Sequence, residues 1–177
     1  MLIVLSGLPG TGKTTIAKAL VARLAATYVR VDEIEHALAR HAGSGSNIGP
    51  TGYYIAYAVA ASNLKLGNTV VADSVNPVPE SRQGWRHVAQ AIENMPLLEI
   101  EVICSDQVEH RRRVEAPTAD IDGFMLPTWS WVMSLDYVPW TEPRLTLDTA
   151  LLGVADAVAI IEGRIAALSG DRQTTCS

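Results

Sequence analysis

Along the chain, short apolar runs alternate with longer stretches whose apolar residues recur at helical spacing. Leu2, Ile3, Val4 and Leu5 are continuously apolar, the pattern of a short strand buried on both faces. Comparable runs recur at residues 27–32, ending in Asp32, at 69–73, ending in Asp73, at 97–104 and at 144–148. Glu99 and Glu101 alternate within the fourth run, which predicts a strand with one exposed face. Between the runs lie predicted helices at 16–24, 33–41, 51–66, 80–95, 106–114 and 151–168, with a shorter one at 128–135. Thr51 is placed to cap the third, with Gly67 past its end, and Pro96 stops the fourth. The 51–66 stretch is apolar nearly all round, which predicts a buried helix. Strands alternating with helices give an α/β fold, a five-stranded parallel sheet with helices on both faces. Ligands of such sheets bind at the carboxyl ends of the strands.

One of those ends carries chemistry at fixed spacing. Gly7, Leu8, Pro9, Gly10, Thr11, Gly12, Lys13 and Thr14, followed by Thr15, match G-x-x-x-x-G-K-[ST], the pattern of a phosphate-binding loop, in strand-to-helix context. The glycines let the backbone turn its N–H groups inward at a helix N-terminus, making an anion nest. Lys13 is placed to reach the β- and γ-phosphates of a nucleoside triphosphate and the Thr14 hydroxyl to ligate Mg²⁺. Asp32 and Asp73 end their own strands, so three separate pieces of sequence converge on one cleft.

The chain has 177 residues, 48% hydrophobic and 19% charged, which suits one domain, expected over 1–169 with a frayed tail at 170–177. No apolar run has the length of a membrane span, and the opening Met-Leu-Ile-Val-Leu lacks the basic region of a signal peptide. Cys104 and Cys176 have no metal-ligand spacing, a usage expected of the cytoplasm. A net charge of −5 provides no global attraction for nucleic acid, which is not favoured as a partner. Residues 42–50 are Gly/Ser-rich, and residues 115–143 are irregular, holding Pro117, Gly123, Pro127, Pro139, Pro143 and three of the four tryptophans.

A GTPase switch would carry a base-reading Asn-Lys-x-Asp segment, which is absent, and a motor or transporter ATPase would be longer. A small phosphotransferase needs the phosphate loop, an acid for the acceptor's proton, and mobile basic residues to neutralise the phosphoryl group. The phosphate loop, Val31-Asp32, and Asp73-Ser74-Val75-Asn76 with Arg82 and Trp85 resemble the small P-loop kinases: polynucleotide 5′-kinase, adenylylsulfate kinase, gluconate kinase and zeta-toxin-like enzymes. The resemblance spans about residues 1–150 and implies a P-loop NTPase three-layer sandwich, ATP and Mg²⁺ as cofactors, and a lid over about 115–143. It also places the catalytic base at Asp32. The segment from Asp32 to Leu38 resembles a substrate-contacting piece of adenylylsulfate kinase, but Glu35 stands where those kinases carry an arginine. An acid there repels phosphate or sulfate, which points to a neutral or cationic hydroxyl compound as acceptor.

Each assignment has a plainer reading beside it. Asp32 is a general base or a helix cap, and Asp73 is a Mg²⁺-holding acid or a turn residue. Asn76 and Arg82 anchor substrate or satisfy the loop after the third strand. Tyr53 and Tyr57 face a substrate cleft or pack in the core. Arg112 and Arg113 swing onto the phosphates or lie on a solvated helix face beside Asp106 and Glu109; three consecutive positions with Arg111 span about 200°, so not all face one ligand. The activity expected is transfer of the γ-phosphoryl of ATP to a hydroxyl of a small metabolite or nucleotide. The alternatives are a polynucleotide or RNA kinase, an antibiotic phosphotransferase, and a non-catalytic ATP-binding regulator.

Overall fold

The computed structural model describes residues 1–41, 49–116 and 127–170. Five strands, β1 (Leu2–Ser6), β2 (Thr27–Arg30), β3 (Val70–Asp73), β4 (Leu97–Ile103) and β5 (Leu145–Asp148), form one sheet in the order β2-β3-β1-β4-β5. Every pairing is parallel. The helices are α1 (Lys13–Leu24), α2 (Val31–His41), α3 (Thr51–Lys65), α4 (Pro79–Gln90), α5 (Gln107–Val114), α6 (Trp129–Ser134) and α7 (Val154–Gly170). This is the expected α/β sandwich. β1 is central and wholly buried, so the loop that follows it opens at the middle of the sheet's carboxyl edge.

The two faces have separate cores. Ile3, Leu5, Val71, Ile100 and Val102 pack under Ile16, Ala17 and Leu20 of α1 and Ala157, Val158 and Ile161 of α7. Leu2, Val4, Val29, Val70 and Ala72 pack under Ala56, Ala60 and Leu64 of α3 and Trp85, Val88 and Ala89 of α4. The alternation along each strand divides its side chains between these layers, as the period of two requires. Among the described residues, no helix is long and apolar enough to cross a membrane.

Several expectations are corrected. The second strand ends at Arg30 and the helix begins at Val31, so Asp32 lies in the first turn of α2 instead of at a strand end. α3 is not buried all round. Its sheet face is the small stripe Gly52, Ala56, Ala60 with Leu64, while Tyr54 is 66% and Val59 41% exposed. Small residues let the helix approach closely, and the large apolar ones fall outside the contact. Nor does Thr51 cap it: Pro50 occupies the N-cap, with no side-chain cap bond.

The face of β4 bearing Glu99 and Glu101 is covered too. Arg86 of α4 donates to Glu99 at 2.9 Å, and Arg144 donates to Glu101 at 2.8 Å. Over them lies Trp140, 7% exposed, with the Arg82 guanidinium 4.3 Å from its ring centre. Residues 117–126 of the expected lid, the loop at 42–48 and the tail from 171 lie outside the described residues. The remainder of the lid stretch is α6, capped by Thr128, and an arm tied to the sheet through Trp140.

Candidate active site

The phosphate loop closes β1 onto α1. Gly7, Gly10 and Gly12 have φ of 139°, 81° and 91°, values that side chains resist. At Gly7 and Gly10 the space is closed as well: a Cβ would strike the Val102 carbonyl oxygen or the Val114 side chain. Gly12 is the N-cap of α1 and no side chain caps that end. The first N–H groups of the helix thus have no intrahelical acceptor, the arrangement that receives phosphate. Thr11 Oγ1 donates to the Leu8 carbonyl at 2.9 Å, and Lys13 Nζ donates to that same carbonyl at 2.9 Å. Burial lowers the Lys13 pKa, against the pull of the Asp73 and Asp32 carboxylates. A nearly buried ammonium bonded to one carbonyl is a cation in want of an anion.

Asp73, 2% exposed, ends β3 on the α1 side. Thr14 Oγ1 donates to Asp73 Oδ2 at 2.8 Å, and the Tyr28 hydroxyl donates to the same oxygen at 2.8 Å. The Arg30 guanidinium is 3.8 Å from that oxygen and 3.7 Å from each of Asp32 and Glu33. Burial, then the Asp73 carboxylate, raises the Tyr28 pKa, so the phenol stays a donor. A hydroxyl and a carboxylate side by side at the foot of a phosphate loop are hard oxygen donors that fit Mg²⁺.

Asp32 and Glu35 lie on α2, Asp32 beside Arg30 and Glu35 against Gly52 of α3. Gly52 admits Glu35: a Cβ there would lie 2.3 Å from Glu35 Cγ. Burial, helped by the Asp32 charge, raises the Glu35 carboxyl to about 7. Tyr53 neighbours both acids, and burial raises its pKa first. Its hydroxyl accepts from the Asn76 N–H at 3.0 Å. The structure thus brings together Lys13, Thr14, Asp73, Asp32, Glu35 and Tyr53.

Asn76 and Arg82 are placed otherwise. Asn76 is fully buried at φ 50°; Nδ2 donates to Ser6 Oγ at 2.8 Å and Oδ1 accepts from Trp85 Nε1 at 3.0 Å. Arg82, 1% exposed, donates to the carbonyls of Asn76, Pro77, Val138 and Pro139. Both hold the loop after β3, the second of the two readings given for them. Tyr57 is likewise a packing residue, edge-on to Trp85 and bonded to the Ser81 carbonyl.

The arginines of α5 divide. Arg113 donates to Thr149 Oγ1 at 2.8 Å and to the Thr149 carbonyl at 3.1 Å, and it lies beside Gly12. Arg113 also donates to Glu109 at 2.8 Å, and Arg112, 69% exposed, donates to that same carboxylate with no bond to the loop among the described residues. Three residues escaped the sequence reading. Thr149 Oγ1 donates to the Thr11 carbonyl at 2.8 Å, and His110 Nε2 bonds the Pro9 carbonyl at 2.8 Å with Trp129 edge-on behind it. Tyr28 is the third. None belongs to a fixed-spacing motif; only their position at strand ends or on a neighbouring helix signals them.

Comparison with known proteins sets this cleft in context. A gluconokinase from Sinorhizobium meliloti 1021 is similar in structure with a TM-score of 0.68, at 16% identity, over 99% of this chain and 97% of that one. Mycobacterium tuberculosis APS kinase CysC, solved with AMPPNP and APS, gives a TM-score of 0.66 at 19% identity, over 92% and 95%. Chaetomium thermophilum Kti12, solved with ADP-AlF3, gives a TM-score of 0.68 at 20% identity, over 92% and 98%. At these identities the likeness establishes the fold. No curated protein matches the sequence. Residues 2–122 match the family model described as an AAA domain, and the chain belongs to that family of small P-loop kinase domains.

Proposed function

We propose that this chain is an ATP- and Mg²⁺-dependent kinase that moves the γ-phosphoryl of ATP to a hydroxyl of a small neutral or cationic molecule. The observation that carries the reading is the convergence of two unlike groups of residues on one cleft. Lys13, Thr14 and Asp73 come from the phosphate loop and β3, and Asp32, Glu35 and Tyr53 come from α2 and α3. A gluconokinase and an APS kinase share this fold.

On arrival of ATP, Lys13 Nζ exchanges the Leu8 carbonyl for a phosphate oxygen, and the N-terminal amides of α1 cradle the phosphates. Thr14 and Asp73 would hold Mg²⁺, which supplies charge neutralisation between the β- and γ-phosphates. Arg113, beside Gly12, is the arginine nearer the nucleotide, and it and Arg112 are both released from Glu109 to reach the phosphates. Asp32 takes the proton of the acceptor hydroxyl while the new O–P bond forms and the bond to the ADP oxygen breaks. The carboxylates of Asp32 and Glu35 disfavour an anionic acceptor and favour a polyol or an amino alcohol.

The test is a screen for acceptor-dependent ADP release across hydroxyl metabolites, nucleosides, aminoglycosides and RNA 5′ ends, followed by Asp32→Asn. With the acceptor found, the substitution should lower turnover by about 10²–10⁴-fold and leave ATP affinity unchanged. ATP binding with no acceptor-dependent ADP from any class would make the chain a nucleotide-binding regulator.

A further inference from the structure

We propose that Tyr28 is a positioning residue for the metal site, its hydroxyl fixing the Asp73 carboxylate in the orientation that receives Mg²⁺. The inference rests on the reading above, in which Thr14 and Asp73 hold the ion.

Tyr28 lies on β2, in register with Val71 of β3, two residues before Asp73. Side chains at alternate positions share a face of the sheet. The Tyr28 ring therefore runs along the face that Asp73 occupies, toward the carboxyl edge, and packs against the core beneath α1 and α7. Its hydroxyl meets Asp73 Oδ2 at 2.8 Å. Thr14 Oγ1 meets that same oxygen, also at 2.8 Å, from the first turn of α1. One carboxylate oxygen thus takes two hydroxyl donors, one from the neighbouring strand and one from the helix. Either donor alone would leave the carboxylate free to turn about its last bond. Together they fix the plane of the group.

The arrangement is compatible with a bound ion. A threonine hydroxyl has one proton and two lone pairs. Thr14 can therefore give a lone pair to the metal while its proton remains on Asp73. Among the described residues, the Tyr28 hydroxyl makes its hydrogen bond to Asp73. It acts on the ion only through Asp73, as outer-shell partners of metal ligands do. Without the phenol, a carboxylate that is 2% exposed loses a donor and swings more freely toward Arg30, 3.8 Å away.

Wild type, Tyr28→Phe, Tyr28→Leu and Asp73→Asn should be compared by binding of a fluorescent ATP analogue, titrated with MgCl₂ and repeated in EDTA. Thermal melts accompany each. Tyr28→Phe keeps the ring and so the packing. It should raise the Mg²⁺ midpoint about tenfold while leaving metal-free nucleotide affinity unchanged. Tyr28→Leu should show the same midpoint shift and, in addition, a lower melting temperature. A midpoint unchanged in Tyr28→Phe but shifted in Asp73→Asn would overturn the proposal and leave the metal assignment standing. A midpoint unchanged in both would sink the assignment and the proposal with it.

Discussion

Asp73 ends β3 and Asn76 follows three residues later, both buried, and they do opposite work. Asp73 turns toward α1 and takes hydroxyl donors from Thr14 and Tyr28, with Arg30 at longer range. It is a charge near the cleft, with lone pairs left for an ion. Asn76 turns toward the end of β1 and α4. Its side-chain amide joins Ser6 to Trp85, its N–H donates to Tyr53, and its carbonyl accepts from Arg82. Each hydrogen-bonding atom of the residue has a partner within the protein. A polar residue beside a phosphate loop is therefore a candidate for chemistry only if its capacity is unfilled. A buried amide with every atom engaged by scaffold groups works as scaffold.

The comparison breaks most directly at its largest effect. Lys13→Ala should abolish phosphoryl transfer without lowering the melting temperature. The ammonium is nearly buried and held by one carbonyl, so its removal relieves a desolvation cost. ATP turnover measured beside a circular dichroism melt checks both halves. A folded variant with near wild-type turnover would mean that the phosphate side of the cleft is misassigned.

Asn76→Ala should do the reverse. It strands the Trp85 N–H and the Ser6 hydroxyl, each worth about 1–3 kcal/mol when left unpaired. It also puts alanine at φ 50°, which costs roughly 1–2 kcal/mol. For a chain of this size the melting temperature should fall by about 10 °C. Below the melting transition, the Mg²⁺ midpoint of nucleotide binding should not move. A shifted midpoint at unchanged stability would place Asn76 with Asp73.

How much of this was legible depended on whether a role is set locally. The phosphate loop was, because its glycines and Lys13 answer to a fixed backbone path between β1 and α1. Asp73 was, because it closes an apolar run. Tyr28 was not: its role depends on the parallel register of β2 on β3, which no local pattern encodes. Glu99 and Glu101 suggested an exposed face because their partners, Arg86 and Arg144, are 13 and 43 residues away. α3 suggested a buried helix because counting apolar residues does not distinguish Ala56 and Ala60, which touch the sheet layer, from Tyr54 and Val59, which do not. The Asp-x-x-Asn resemblance grouped two residues that the fold separates.

The smallest expected effect concerns Glu35, which belongs to neither kind: it lies against Gly52 with its pKa raised by burial. Its carboxyl titrates near 7 in the folded protein, because burial and then the Asp32 charge disfavour ionisation, against an ordinary value of 4.5. Between those two values the folded chain keeps a proton that the unfolded chain has released. The folded state then binds more protons, so this group makes stability fall as pH rises through the window. Below about 4.5 both states are protonated, and above about 7 both are ionised, with the penalty fully present. Glu35→Gln keeps the shape over Gly52 and removes the titration. Its melting temperature should match wild type near pH 4.5 and exceed it by a constant margin above pH 7, measured on both proteins in the same buffers. A margin that does not change with pH would mean that Glu35 is solvated as an ordinary surface acid. The same variant sharpens the acceptor class. For a cationic acceptor, KM should fall as pH rises through 7 in wild type and stay level in Glu35→Gln, whereas for a neutral polyol the two profiles should coincide.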